Sequence, residues 1–176
     1  MYKKLIIYSS VDGQTKLICE RIKNLSKYKD QIKLISIEKA LNEDLSFYKA
    51  IIIGASIRYG KHNSNVIKFV KTNKNILSQK KSFFFSVNVV ARKSEKNSPK
   101  TNPYIKKFLK LSEWSPDETA VFAGKIDYPK YSFFDRQIIR LIMLLTKGPT
   151  DTSKSFEFTD WSKVDEFARQ IDRLLS

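Results

Sequence analysis

The chain has 176 residues, 41% hydrophobic and 29% charged, with only five Gly and five Pro, a composition that excludes collagen-like, linker-like and disordered chains and suits one sizeable core. One cysteine, Cys19, and one histidine, His62, leave no intramolecular disulfide and no four-cysteine zinc site, and point to a reducing compartment and no metal centre. The 33 Lys and Arg outnumber the 18 Asp and Glu, a formal +15 concentrated in residues 61–150, so nucleic acid, anionic lipid and anionic small molecules all come into view as partners.

Lys3 and Lys4 precede an apolar run, Leu5 to Tyr8, that is too short for a signal-peptide core, so secretion is not expected. No apolar run approaches the roughly 20 residues that cross a bilayer. β-rich runs follow at 4–9, 31–37, 50–54, 82–90 and 119–124. The first, third and fourth are continuously apolar rather than alternating, as strands covered on both faces are. Helical spacing separates them, with Leu17, Ile18 or Cys19, Ile22 and Leu25 after Thr15, and then Val66, Ile67, Val70 and Leu77. Residues 93–103 read as an exposed, mobile polar loop. A last helix from about 160 to 174, capped by Thr159 or Asp160, places Trp161, Val164, Phe167, Ala168, Ile171 and Leu174 on one face. The whole predicts one α/β domain over 1–176.

The first strand runs into Ser10-Val11-Asp12-Gly13-Gln14-Thr15 at a helix start, where backbone N–H groups, hydroxyls and the helix dipole together suit a phosphate. Only Gly13 is present and no Gly-Lys-Ser/Thr follows, so neither the Walker loop nor the dinucleotide turn fits. The Asp12 carboxylate would repel a phosphate and is expected to point outward. Two more loops end strands at the same mouth of a doubly wound sheet: Ser56-Ile57-Arg58-Tyr59-Gly60 and Ser86-Val87-Asn88-Val89, continuing through Ala91, Arg92 and Lys93. Small residues at 54–56 would let a flat ring approach the backbone, and Tyr59 could stack on it. A phosphoacceptor receiver would need Asp at the end of the third strand, where Gly54 stands, and no nucleic-acid motif is present.

Ser10, Gly13 and Thr15 resemble the phosphate loop of flavodoxins. Over nearly the whole chain, Asp12-Gly13-Gln14-Thr15, the block Ile53-Gly54-Ala55-Ser56-Ile57-Arg58-Tyr59-Gly60, Ser86-Val87-Asn88 with Val90-Ala91-Arg92-Lys93, and Thr150-Asp151-Thr152 followed by Thr159-Asp160-Trp161 resemble the bacterial quinone-dependent protoporphyrinogen IX dehydrogenase family. The resemblance implies a flavodoxin-like five-stranded parallel sheet of order 2-1-3-4-5, FMN bound by residues of the three loops named above, and oxidation of protoporphyrinogen IX to protoporphyrin IX in haem biosynthesis. Electrons would pass to menaquinone or ubiquinone at the cytoplasmic face of the inner membrane. The substrate's propionates would meet Arg58, Arg92 and Lys93. No side chain stands out as acid or base, and homo-oligomerisation is left open. A soluble flavodoxin-type electron carrier is the alternative, although flavodoxins are typically acidic and this chain is +15.

After the fifth strand the chain departs over about 125–154, and 155–158 is expected to resume it, as in the split fifth strand of long-chain flavodoxins. Within this insertion, Tyr128 to Lys147 contains a helix with Phe134, Ile138, Leu141, Ile142 and Leu145 on one face and Arg136, Arg140 and Lys147 opposite. A basic amphipathic helix suits an anionic membrane surface or, equally, packing on the protein's own core.

Overall fold

The structure, a computed structural model, describes residues 3–176. In chain order, β1 (Lys4–Ser9), α1 (Gln14–Leu25), β2 (Ile32–Ser36), α2 (Ile37–Ala40), β3 (Ala50–Arg58), β4 (Lys61–His62), α3 (Ser64–Thr72), α4 (Lys74–Ser78) and β5 (Lys81–Val87) form the first half. There follow α5 (Pro103–Ser112), β6 (Glu118–Phe122), β7 (Lys125–Asp127), α6 (Phe133–Leu145), β8 (Ser155–Glu157) and α7 (Trp161–Leu174). Five parallel strands lie in the order β2-β1-β3-β5-β6, with β4 folded back antiparallel on the end of β3. Counted among themselves, the parallel strands run 2-1-3-4-5, as expected.

The continuous apolar runs are explained by burial on both faces. Leu5, Ile7, Ile51, Ile53 and Phe84 point to one layer, with Val66, Phe69, Ile105 and Phe108 from α3 and α5. Ile6, Ile52, Phe83 and Phe85 point to the other, with Ile18 and Ile22 of α1 and Val164, Phe167 and Ile171 of α7. Cys19 belongs to this second layer and is fully buried, which pushes its thiol pKa up. The ring that approaches Gly54 comes from the protein itself: a Cβ there would collide with Phe85.

One expectation about the loops is corrected. Residues 155–158 do not rejoin the parallel sheet; β8 pairs antiparallel with β7 in a separate ribbon, Lys125 opposite Glu157 and Asp127 opposite Ser155. Phe156 faces Tyr128 at 6.3 Å between ring centroids while Ser155 and Glu157 are exposed, so the alternation suits a ribbon with one covered side. Residues 93–103 lie at the surface, as expected, except at one buried anchor. Asn102 is completely buried, donates to the Lys96 carbonyl at 2.9 Å, and caps α5 by accepting from the Tyr104 N–H.

Candidate functional site

The strand order reverses between β1 and β3, and a cleft opens there at the C-terminal ends of β1, β3 and β5, where an open α/β sheet holds its ligands. Its space amounts to about 850 Å³ when the part open to solvent is counted.

From the first loop, Ser10, Asp12, Gln14 and Thr15 line the cleft, whereas Val11 turns its side chain to solvent. Gly13 contributes backbone: it sits at the start of α1 with φ 88°, a conformation open to glycine at little cost. No side chain caps α1 and no acid lies in its first turn, so the initial N–H groups keep their positive pole. Both Ser10 Oγ and Thr15 Oγ1 are buried there without any hydrogen-bond partner. Gln14 braces the loop from behind, donating to Glu157 Oε1 at 3.0 Å and Thr159 Oγ1 at 2.8 Å.

The second loop is a hairpin hidden inside the expected strand end. Arg58 pairs with Lys61, and the two residues between them, Tyr59 and Gly60, have φ 49° and 73°, the positive values of a two-residue hairpin turn. All of Ser56, Ile57, Arg58, Tyr59 and Gly60 line the cleft, and Tyr59 is half exposed over its mouth.

The third loop divides. Val87, Asn88, Val89 and Val90 line the cleft, whereas Ser86 and Ala91 are buried behind it. Ser86 Oγ lies 3.0 Å from His62 Nε2 and accepts from Asn88 Nδ2 at 3.1 Å; Asn102 Nδ2 in turn donates to Asn88 Oδ1 at 3.1 Å. Burial lowers the His62 pKa to about 4, so the ring is neutral at pH 7. The Arg92 guanidinium does not face the cleft; it donates to the Val89 carbonyl and to Thr146 past the end of α6. Lys93 also lies outside the lining.

The fourth wall was not anticipated. Tyr131 and the α6 residues Ile139, Ile142 and Met143 close the cleft on the insertion side. Their spacing of three and four residues is a helical face, legible in the sequence but overshadowed by the larger outer stripe. Asp12 does not point freely outward: its carboxylate pairs with Arg58 Nη1 at 3.0 Å, and Arg58 Nη2 reaches Asp135 of α6 at 3.1 Å. Burial nevertheless raises the Asp12 pKa, with Arg58 opposing it. Arg136, expected on the basic side, is turned inward to the carbonyls of Tyr128 and Tyr131. Among the described residues no cluster of His, Cys, Asp and Glu could hold a metal ion.

An FMN phosphate fits this cradle, because it would satisfy the Ser10 and Thr15 hydroxyls and the α1 N-terminus at once. A family model described as a flavodoxin domain matches residues 5–153. Protoporphyrinogen IX dehydrogenase [quinone] of Escherichia coli (strain K12) is 44% identical over 176 residues, covering 98% of this chain and 96% of that protein. The protein of the same name from Leishmania major is 43% identical over 174 residues, covering 98% of this chain and 75% of its own. Among solved structures, oxidised Flavodoxin 1 from Bacillus cereus shares the fold with a TM-score of 0.55 at 17% identity, covering 98% of this chain and 99% of that one.

Proposed function

Because the chain belongs to the flavodoxin-like family of quinone-dependent protoporphyrinogen IX dehydrogenases, we propose that it oxidises protoporphyrinogen IX with FMN held in the cleft and delivers the electrons to a quinone. The observation that carries this reading is the pair of buried, unpartnered hydroxyls of Ser10 and Thr15 at the N-terminus of α1. Bound there, FMN supplies the two-electron chemistry. The chain supplies the rest. Ser10, Thr15 and the first N–H groups of α1 hold the phosphate, with Val11, Asp12 and Gly13 contributing main chain. Tyr59 covers the ring, and Ser56, Ile57, Gly60, Val87, Asn88 and Val89 offer its edge backbone and amide groups. Ser86, Ala91 and Arg92 act from behind, by fixing the loop on which Asn88 sits. Arg58 is the carboxylate receptor for a substrate propionate, since it lines the cleft and Arg92 lies outside that lining.

The outer face of α6 supports contact with an anionic membrane. Phe134 is 77% and Leu145 76% exposed, with Phe133, Ile138, Leu141 and Leu144 also uncovered and Lys130, Arg140 and Lys147 exposed nearby. Such a face buries apolar side chains among lipid tails and sets its bases at the headgroups. The inner face lines the cleft, so a lipid-soluble quinone, menaquinone or ubiquinone, would reach the flavin along this helix. Among the described residues no helix is long and apolar enough to cross a membrane, and the association proposed is peripheral, at the cytoplasmic face of the inner membrane.

The test is anaerobic. Protoporphyrinogen IX added to FMN-loaded protein should bleach the flavin, and a menaquinone or ubiquinone analogue should restore it as porphyrin fluorescence appears. A flavin that binds yet never bleaches would make the protein an electron carrier instead. Sedimentation with phosphatidylglycerol vesicles tests the membrane contact, which should weaken with salt and disappear in Leu141→Glu/Leu145→Glu.

A further inference from the structure

Arg58 is held unusually firmly for a surface-loop arginine. Its guanidinium lies 5.2 Å from the ring centroid of Tyr59 and 5.1 Å from that of Tyr131, and its two Nη atoms take carboxylates from different parts of the fold. Nη1 pairs with Asp12 of the phosphate loop, at 3.0 and 3.3 Å to its two oxygens, and Nη2 with Asp135 of α6 at 3.1 Å. One cation thus faces two carboxylates, so an incoming third carboxylate would meet net repulsion unless one of the two left.

The two are not equally replaceable. Asp12 also accepts from the Tyr131 hydroxyl at 3.4 Å, whereas Arg58 is the one side-chain partner of the Asp135 carboxylate among the described residues. Asp135 stands in the first turn of a helix whose only fully buried side chain is Met143. The α6 helix is therefore held largely by polar fastenings, and Asp135 is the one that touches the receptor itself.

We propose that Asp135 is a specificity-determining residue: its carboxylate occupies the Arg58 position that a substrate propionate takes, and exchange of one for the other loosens the first turns of α6 beside the cleft. This rests on the functional reading above. Arg58 is the source of selectivity for a carboxylated substrate, since an uncharged analogue gains nothing from it, and Asp135 sets how large that selectivity is by competing for the same guanidinium.

The test compares protoporphyrinogen IX with its dimethyl ester on the FMN-loaded enzyme. Asp135→Asn should lower KM for the free acid roughly two- to fivefold, the scale of a partly exposed ion pair, and leave KM for the ester unchanged. Arg58→Leu should make the two substrates alike. Independently of turnover, protoporphyrin IX should speed amide hydrogen exchange over 133–138 in the wild type, its dimethyl ester should not, and in Asp135→Asn exchange should already be fast. Equal shifts for both substrates, or no shift for either together with an unchanged exchange pattern, would overturn the inference alone. A wild type that oxidises neither porphyrinogen would overturn the functional reading and this inference with it.

Discussion

Arg92 and Thr146 join the loop that carries Asn88 to the C-terminal end of α6: one guanidinium nitrogen donates to the Thr146 carbonyl at 2.8 Å and to its hydroxyl at 3.0 Å. A cation at a helix C-terminus is favourable for the dipole as well as for the unpaired carbonyls. Arg58 makes the corresponding tie at the other end through Asp135. Both arginines, expected to meet substrate, thus fasten α6, but Arg58 does so from within the cleft lining and Arg92 from outside it.

Arg92→Ala should remove this tie and cost about 1.5–3 kcal/mol, the range for hydrogen bonds made by a charged donor. The loss should fall on the insertion, so amide exchange over 139–147 should rise while exchange in β1 and β3 stays slow. Arg92→Lys should recover little, since a single ammonium cannot reach the Val89 carbonyl and both Thr146 oxygens in the same fork. Uniform acceleration across the sheet would contradict this placement of Arg92.

Ser10→Ala and Thr15→Val should each weaken FMN binding by about 10-fold or more, as expected when a hydroxyl bonded to a charged phosphate is lost. Riboflavin, which lacks the phosphate, should bind each variant as it binds the wild type. The ligand-free variants should be no less stable, because each substitution removes a buried hydroxyl that has no partner. Flavin-fluorescence titration and thermal melts of the same samples check both halves.

The parallel strands were legible because burial on both faces writes itself as unbroken apolar runs such as 51–53 and 83–85. The three loops were legible because each ends such a run. What escaped was decided across the chain. Tyr59-Gly60 reads as a ligand loop until Arg58 and Lys61 are seen to pair, and 155–158 reads as a returning strand until Ser155–Glu157 meet β7. The His62–Ser86–Asn88–Asn102 chain takes steps of 24, 2 and 14 positions in sequence, and no local pattern announces it. For α6 the spacing reads as one apolar and one basic face; only the fold shows that Ile139, Ile142 and Met143 form an inner face on the cleft and that the larger apolar stripe is bare.

Gly54→Ala should destabilise the protein by about 1–3 kcal/mol, the usual cost of overpacking a core. The added methyl would collide with the Phe85 ring, which is itself packed among Phe122 and Phe167 at centroid distances of 5.4 and 6.2 Å. Phe85→Leu in the Gly54→Ala background should recover part of the loss, a coupling that a double-mutant cycle measures. If the two substitutions simply add, steric pressure between these strands is not the cause.

His62 supplies a pH dependence whose sign follows from its burial. Its pKa falls from 6.5 to about 4 because the charged ring is desolvated, so between those values the unfolded chain binds more protons than the folded one and stability drops as pH falls. The contribution is complete above pH 6.5, declines through the window and is spent near pH 4, at most about 3 kcal/mol by the usual conversion. Protonation also leaves Nε2 only a donor toward Ser86, the same hydroxyl that receives Asn88. FMN should therefore be released over that range along with the loss of stability. His62→Gln, which keeps a polar group without the titration, should flatten both curves between pH 6.5 and 4; urea melts and flavin fluorescence across that range test it, and an unchanged slope in the variant would assign the acid sensitivity to other groups.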